Sequence, residues 1–167
     1  MKHWIRAFFI AAGFAIAPFS AVAQEASQSP IEAKLVVQRV EFDAETKKEM
    51  LTSAKTASPG DVLQYTGTYT NLSDTPLAGL VINGPIPDNT IFTTDALKVL
   101  DDATFEVLVP GEPWQTLPAR KTIKKPDGTE VRVPAGPEDY KEIRWKLSDP
   151  LAPEETLTTV YRVKVSR

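Results

Sequence analysis

The chain has 167 residues, 22 Asp and Glu against 19 Lys and Arg, a formal net charge of −3, one His and no Cys. That acidic balance argues against nucleic acid or anionic lipid as the main partner. With His3 as the only imidazole, any form of the chain that loses its first residues is excluded from Ser-His-Asp and Cys-His catalysis and from imidazole or thiolate metal sites, which leaves carboxylate, Lys, Ser or Tyr chemistry.

Those first residues read as an export signal. Lys2 and Arg6 form a short basic region, Ala7 to Ala17 is an apolar run broken only by Gly13, and Ala21-Val22-Ala23 supplies the small-x-small pattern that signal peptidase accepts. Residues 1–23 are therefore expected to be a signal peptide, with Gln24 as the new N-terminus. The apolar run is well short of the about 20 residues that span a bilayer, so no membrane insertion is expected after cleavage. The 144 residues that remain carry 17 basic and 22 acidic side chains, a formal charge of −5. They suit one domain, large enough to bury about two thirds of its unfolded surface. Small exported domains commonly lean on disulfides; this one must rely on its core. The expected location is the periplasm or the extracellular space.

Along the mature chain, residues 24–32 are small, polar and aperiodic and read as a flexible leader before a domain over 33–167. Lys34 to Phe42 makes a first strand with Val36, Val40 and Phe42 on one face, a pattern that Gln38 breaks. Residues 43–55 suit either a hairpin or a helical turn, the hairpin being preferred. After the Ser58-Pro59-Gly60-Asp61 turn, Leu63, Tyr65 and Tyr69 alternate with Gln64, Thr66, Thr68 and Thr70, the pattern of a central strand with one buried face. Asn71-Leu72-Ser73 has the form of a glycosylation sequon, read here as turn chemistry. Leu77 to Ile82 makes the next strand, which Asn83-Gly84-Pro85-Ile86-Pro87 breaks. Ile91-Phe92 restarts it and Leu97 to Leu100 continues in strand form. Asp101-Asp102 lacks further oxygen ligands at calcium-loop spacing and reads as a solvated turn.

Thr104 to Val109 places Phe105, Val107 and Val109 on one face. A proline-rich stretch with Trp114 follows, and Asp127-Gly128 signals a short hairpin. Arg120, Lys121, Lys124 and Lys125 form the only basic cluster, either an anion-binding patch or a hairpin kept soluble by charge. In the last thirty residues Ile143, Trp145 and Leu147 alternate with Glu142, Arg144 and Lys146, and Leu157, Thr159, Tyr161, Val163 and Val165 alternate with Thr158, Arg162 and Lys164. With 14 prolines and no convincing long helix, the expected fold is an all-β, antiparallel sandwich of about seven to nine strands.

Pro59-Gly60-Asp61, Tyr65, Tyr69-Thr70-Asn71, Ile86-Pro87, Ile143-Arg144-Trp145 and Leu151-Ala152-Pro153 resemble the bacterial conserved-repeat family, an immunoglobulin-like domain of unknown function (family eleven of the domains so named). The likeness runs from about Val36 to Val165. It is close to the small, single-domain exported members, which carry a Pro-Glu-Asp-Tyr stretch before the tryptophan strand, here Pro137-Glu138-Asp139-Tyr140. Many members have an aspartate before the proline pair, where this chain has Asn83-Gly84. The resemblance implies an immunoglobulin-like fold, an envelope location and a structural or interaction role, with no catalytic residues to carry over.

The function expected is thus a non-enzymatic, cofactor-free exported module of the bacterial envelope whose partner is an envelope or periplasmic protein. The alternative is a carbohydrate or cell-wall binding module in which Trp114 stacks on a sugar ring of cell-wall glycan. Trp114, Arg120, Lys121, Lys124 and Lys125 are the candidate ligand contacts. A hydrolase built on Glu138-Asp139 is disfavoured, because adjacent residues on a strand point to opposite faces.

Overall fold

The computed structural model describes residues 29–166 apart from 96, 98 and 99. The expected signal peptide and the first residues of the leader lie outside them, as do Lys98 and Val99 of the expected Leu97–Leu100 strand. Leu97 and Leu100 themselves are not in strand form.

The described residues form an all-β, antiparallel fold. Ten strands run in order as β1 (Ile31–Phe42), β2 (Glu49–Ser53), β3 (Val62–Asn71), β4 (Val81–Pro85), β5 (Thr90–Thr93), β6 (Ala103–Leu108), β7 (Arg120–Lys124), β8 (Glu130–Pro134), β9 (Glu142–Leu147) and β10 (Thr156–Val165). Among the described residues the only helical element is a single 3-10 turn over Pro137–Asp139, so Glu138 and Asp139 are not on the strand expected for them. Strand order is β2-β1-β3-β10-β5 in the larger sheet and β4-β9-β6 in the smaller, while β7 and β8 pair with each other alone. The two larger sheets hold eight of the ten strands, within the seven to nine expected, and the separate β7–β8 hairpin adds the other two.

Register explains the core. Directly opposite residues of an antiparallel ladder share a face, so Val37, Tyr65 and Tyr161 form one inward row of the large sheet and Arg39, Leu63, Val163 and Phe92 the next. The small sheet answers with Ile82, Trp145 and Phe105, then Gly84, Ile143 and Val107. The two sheets meet through aromatic contacts, Trp145 with Tyr161 at 6.1 Å and Phe92 with Phe105 at 6.1 Å, and within the small sheet Trp145 lies edge-on to Phe105 at 5.5 Å. Tyr161 also stacks on Tyr65 at 4.8 Å and donates its hydroxyl to the Pro85 carbonyl at 2.9 Å, tying β10 to β4. Burial of that phenol, with Tyr65 and Tyr69 beside it, pushes its pKa far up, so it stays a donor at any ordinary pH. Gly84 permits this approach, since a Cβ there would sit 2.9 Å from Ile143 and 3.0 Å from Tyr161.

Several expectations need correcting. β1 begins at Ile31, inside the expected leader, because Ile31 and Glu32 pair with Asn71 and Thr70. Residues 43–55 need no correction and are the hairpin preferred from the sequence: the Asp43 carboxylate accepts the N–H groups of Glu45 and Thr46, an Asx turn that returns the chain as β2. The strand expected at Leu77–Ile82 is shifted to Val81–Pro85. Leu77 keeps only an isolated bridge to Leu151, and Pro85 is tolerated because β4 is an edge strand that needs no N–H on its outer side.

Asn71 closes the central strand. Its fully buried side chain donates to the carbonyls of Thr75 and Leu151 at 2.9 and 3.0 Å and accepts from the N–H and hydroxyl of Ser73. Both amide hydrogens are therefore used inside the fold, in keeping with turn chemistry at this sequon rather than sugar attachment.

Candidate interaction surfaces

Three strands face five, so part of the large sheet has no cover. The inward side of β3 and β10 is buried under β4, β9 and β6, whereas β1 extends past them. Leu35, which shares the inward face with Gly67 and Thr159, is 56 % exposed. Beside it a shallow groove of about 270 Å³ runs between β1 and the edge strand β4, lined by Ile31, Ala33, Tyr69, Leu80, Val81 and Ile82 with Asn83.

The opposite face of the same strand is the larger surprise. Val36, Val40 and Phe42 do share a face, but it points away from the small sheet. Val36 is 50 % and Phe42 68 % exposed, and Leu51, opposite Val40 on β2, is 42 % exposed. Alternation alone identified the face and not its direction. The signal that could have shown it is that β1 is apolar on both sides, Leu35 and Val37 on one and Val36, Val40 and Phe42 on the other.

Next to this apolar stripe lies a charged clamp on the same outward face. The Arg162 guanidinium is buried, with two hydrogen bonds to the Glu49 carboxylate at 2.7 and 3.1 Å, one to Gln64 at 3.0 Å and Asp95 at 3.6 Å. The hydrogen bonds to Arg162 hold the Glu49 carboxyl below its usual range; at Asp95 the Thr93 hydroxyl does most of this and Arg162 adds to it. Arg162 faces outward as expected, yet it is buried, because β2 and the segment after β5 both fold acidic groups over it.

The candidate contacts from the sequence fall on the other side of the molecule. Trp114 is half-buried, and the Arg144 guanidinium lies over its ring, 4.2 Å from the centroid. Arg144 is in turn fixed by Glu106 at 2.6 Å. One face of the indole is thus occupied by a cation. A bridge between Gln115 and Val107 docks this segment on β6, and the Gln115 side chain bonds the Arg120 backbone, which anchors the β7–β8 arm.

The basic cluster is divided by that arm. Lys121 pairs with Asp139 at 2.5 Å and thereby depresses the Asp139 carboxyl, while Arg120 donates to the Arg132 carbonyl at 2.9 Å. Lys124 and Lys125 lie exposed toward the arm's tip. The four charges do not converge on one point, since alternate residues of β7 face opposite ways.

Asp101 and Asp102 line a groove with Asp149 and Glu155. No three acidic groups among the described residues stand close enough to share a metal ion. No helix among the described residues is long and apolar enough to cross a membrane. Comparison of the chain with protein-family models, with curated proteins and with solved structures found no match.

Proposed function

We propose that this chain is a non-enzymatic, exported module of the bacterial envelope, immunoglobulin-like in arrangement, which acts by binding another protein. The observation that carries this reading is the outward apolar stripe of Val36, Phe42 and Leu51. Single exposed apolar residues are ordinary, whereas Phe42 and Leu51 lie together with Val40 on one sheet face, with Val36 beyond Gln38, and such a cluster marks a contact surface. Export is supported by the basic, apolar and Ala-x-Ala pattern of residues 1–23. The ion pairs of Arg162, Lys121 and Arg144 support a structural use of the charged side chains, each bracing one segment against another. A sugar-binding role for Trp114 would require its ring to be shared with Arg144 or Arg144 to leave Glu106.

The test is capture from envelope extract by the wild-type chain and by the pair Phe42→Ser and Leu51→Ser. A protein retained by the wild type and lost from the substituted chain supports the reading. Retention of cell-wall glycan alone, undisturbed by these substitutions and abolished by Trp114→Ala, would replace it with the carbohydrate-binding alternative.

A further inference from the structure

Strand β1 is 12 residues long, yet β2 pairs only with Gln38–Phe42. From Ile31 to Val37 the side of β1 turned away from β3 has no neighbouring strand among the described residues. An open row of backbone donors and acceptors is a template for another strand. Natural edges are commonly guarded by a proline, a bulge or a lysine. Ile31 to Val37 contains no proline, and its register with β3 is unbroken. Its guards are Lys34 and, at its first residue, the Ser29 hydroxyl, which accepts the Ile31 N–H at 3.3 Å.

We propose that this edge pairs antiparallel with the same edge of a second copy, about a two-fold axis passing through Ala33. The strand's own charges select that register. A two-fold pairing centred on Glu32 or on Lys34 would set like charges opposite each other, and one centred on Leu35 would set Lys34 opposite Val36. Centred on Ala33, it sets Glu32 opposite the second copy's Lys34, and by symmetry Lys34 opposite the second copy's Glu32. Within one strand Lys34 already lies 3.2 Å from Glu32. The pairing therefore creates a two-by-two block of alternating charges, and the lysine that would repel an unrelated strand becomes a specificity element.

The inward face agrees. In this register Ile31 comes opposite the second copy's Leu35, covering a side chain that is 56 % exposed in the single chain. Length agrees as well. Val36 meets the second copy's Pro30 just before β1 begins at Ile31, and at Gln38 the slot is already filled by Ser53 of β2. The ladder thus fits the open window between the start of β1 and the end of β2. The outward apolar stripe stays uncovered, so this self-pairing goes beyond the contact reading above and can fail without it.

The experiment uses the chain expressed from its full sequence and purified in the form that accumulates. Sedimentation should show a concentration-dependent dimer. Glu32→Lys and Lys34→Glu should each weaken it by about tenfold or more, since both symmetric pairs turn repulsive, and an equimolar mixture of the two variants should restore it as a heterodimer. Because the sequence has no cysteine, Ala33→Cys gives a clean probe of the axis: mild oxidation should link it to itself, while Leu35→Cys, two residues off the axis and opposite the second copy's Ile31, should not link. A chain that stays monomeric at every accessible concentration overturns the proposal, as does a dimer indifferent to both charge reversals. A monomer that dimerises only after residues preceding Ser29 are removed would also overturn it, by showing that the chain's own leader takes the slot.

Discussion

The two halves of the large sheet are built from the same kind of sequence and end in different surroundings. On β3 and β10 alternation puts Leu63, Tyr65, Tyr161 and Val163 inside, where the small sheet closes over them. On β1 and β2 apolar residues on both faces leave Leu35 on the inward side and Val36, Phe42 and Leu51 on the outward side in contact with water. The opposing layer, three strands against five, explains Leu35; the outward residues lie on the face turned away from it. A strand's pattern reports which residues share a face, and the partner sheet decides whether that face is core or surface.

Substitutions can sharpen this contrast. The largest effect is expected at Trp145, fully buried where the sheets meet: Trp145→Ala should cost about 3–5 kcal/mol, read as a fall in the denaturation midpoint at unchanged slope. Asn71→Ala should follow at about 3 kcal/mol, because it strands the buried carbonyls it serves. Gly84→Ala inserts a methyl against Ile143 and Tyr161 and should cost about 1–3 kcal/mol. Phe42→Ser, on the uncovered half, should stay within about 0.5 kcal/mol. A loss at Phe42 comparable with that at Trp145 would mean the stripe is covered.

Acid offers a milder probe of the charged clamps. Glu49, Asp95 and Asp139 all have carboxyl pKa values depressed in the folded state, through Arg162 at Glu49, chiefly the Thr93 hydroxyl at Asp95, and Lys121 at Asp139. A depressed carboxyl contributes stability that is present above its unfolded pKa and is lost as pH falls through its folded one. The melting temperature should therefore be flat from neutral pH down to about 5 and decline below about 4.5. No imidazole lies among the described residues to add a transition near neutrality.

Much of the fold was legible because backbone chemistry is local. The alternation in β3, β9 and β10, the Asp127-Gly128 hairpin between β7 and β8 and the inward Trp145 follow from period and turn residues alone. What sequence could not supply depended on distant segments. Val36, Val40 and Phe42 were grouped correctly, but their outward direction depends on which face of the large sheet the small sheet packs against. Arg162 was placed on the outer face, but its burial depends on Glu49 and Asp95 arriving from elsewhere in the chain. Trp114 was picked out by its proline-rich setting, whereas the Arg144 guanidinium over its ring is set by β9. The basic residues Arg120, Lys121, Lys124 and Lys125 are neighbours in sequence and diverge in space because a strand alternates.

The most direct test of the contrast between a closed and an open half is hydrogen exchange of the backbone amides, followed at low and at high protein concentration. The account predicts slow exchange throughout β3, β9 and β10 at both concentrations. It predicts fast exchange for the amides of residues 31–35 that point away from β3 at low concentration, slowing as concentration rises and second copies pair. Uniform protection across the whole five-stranded sheet at the lowest concentration would contradict it, because β1 would then already be covered within the single chain.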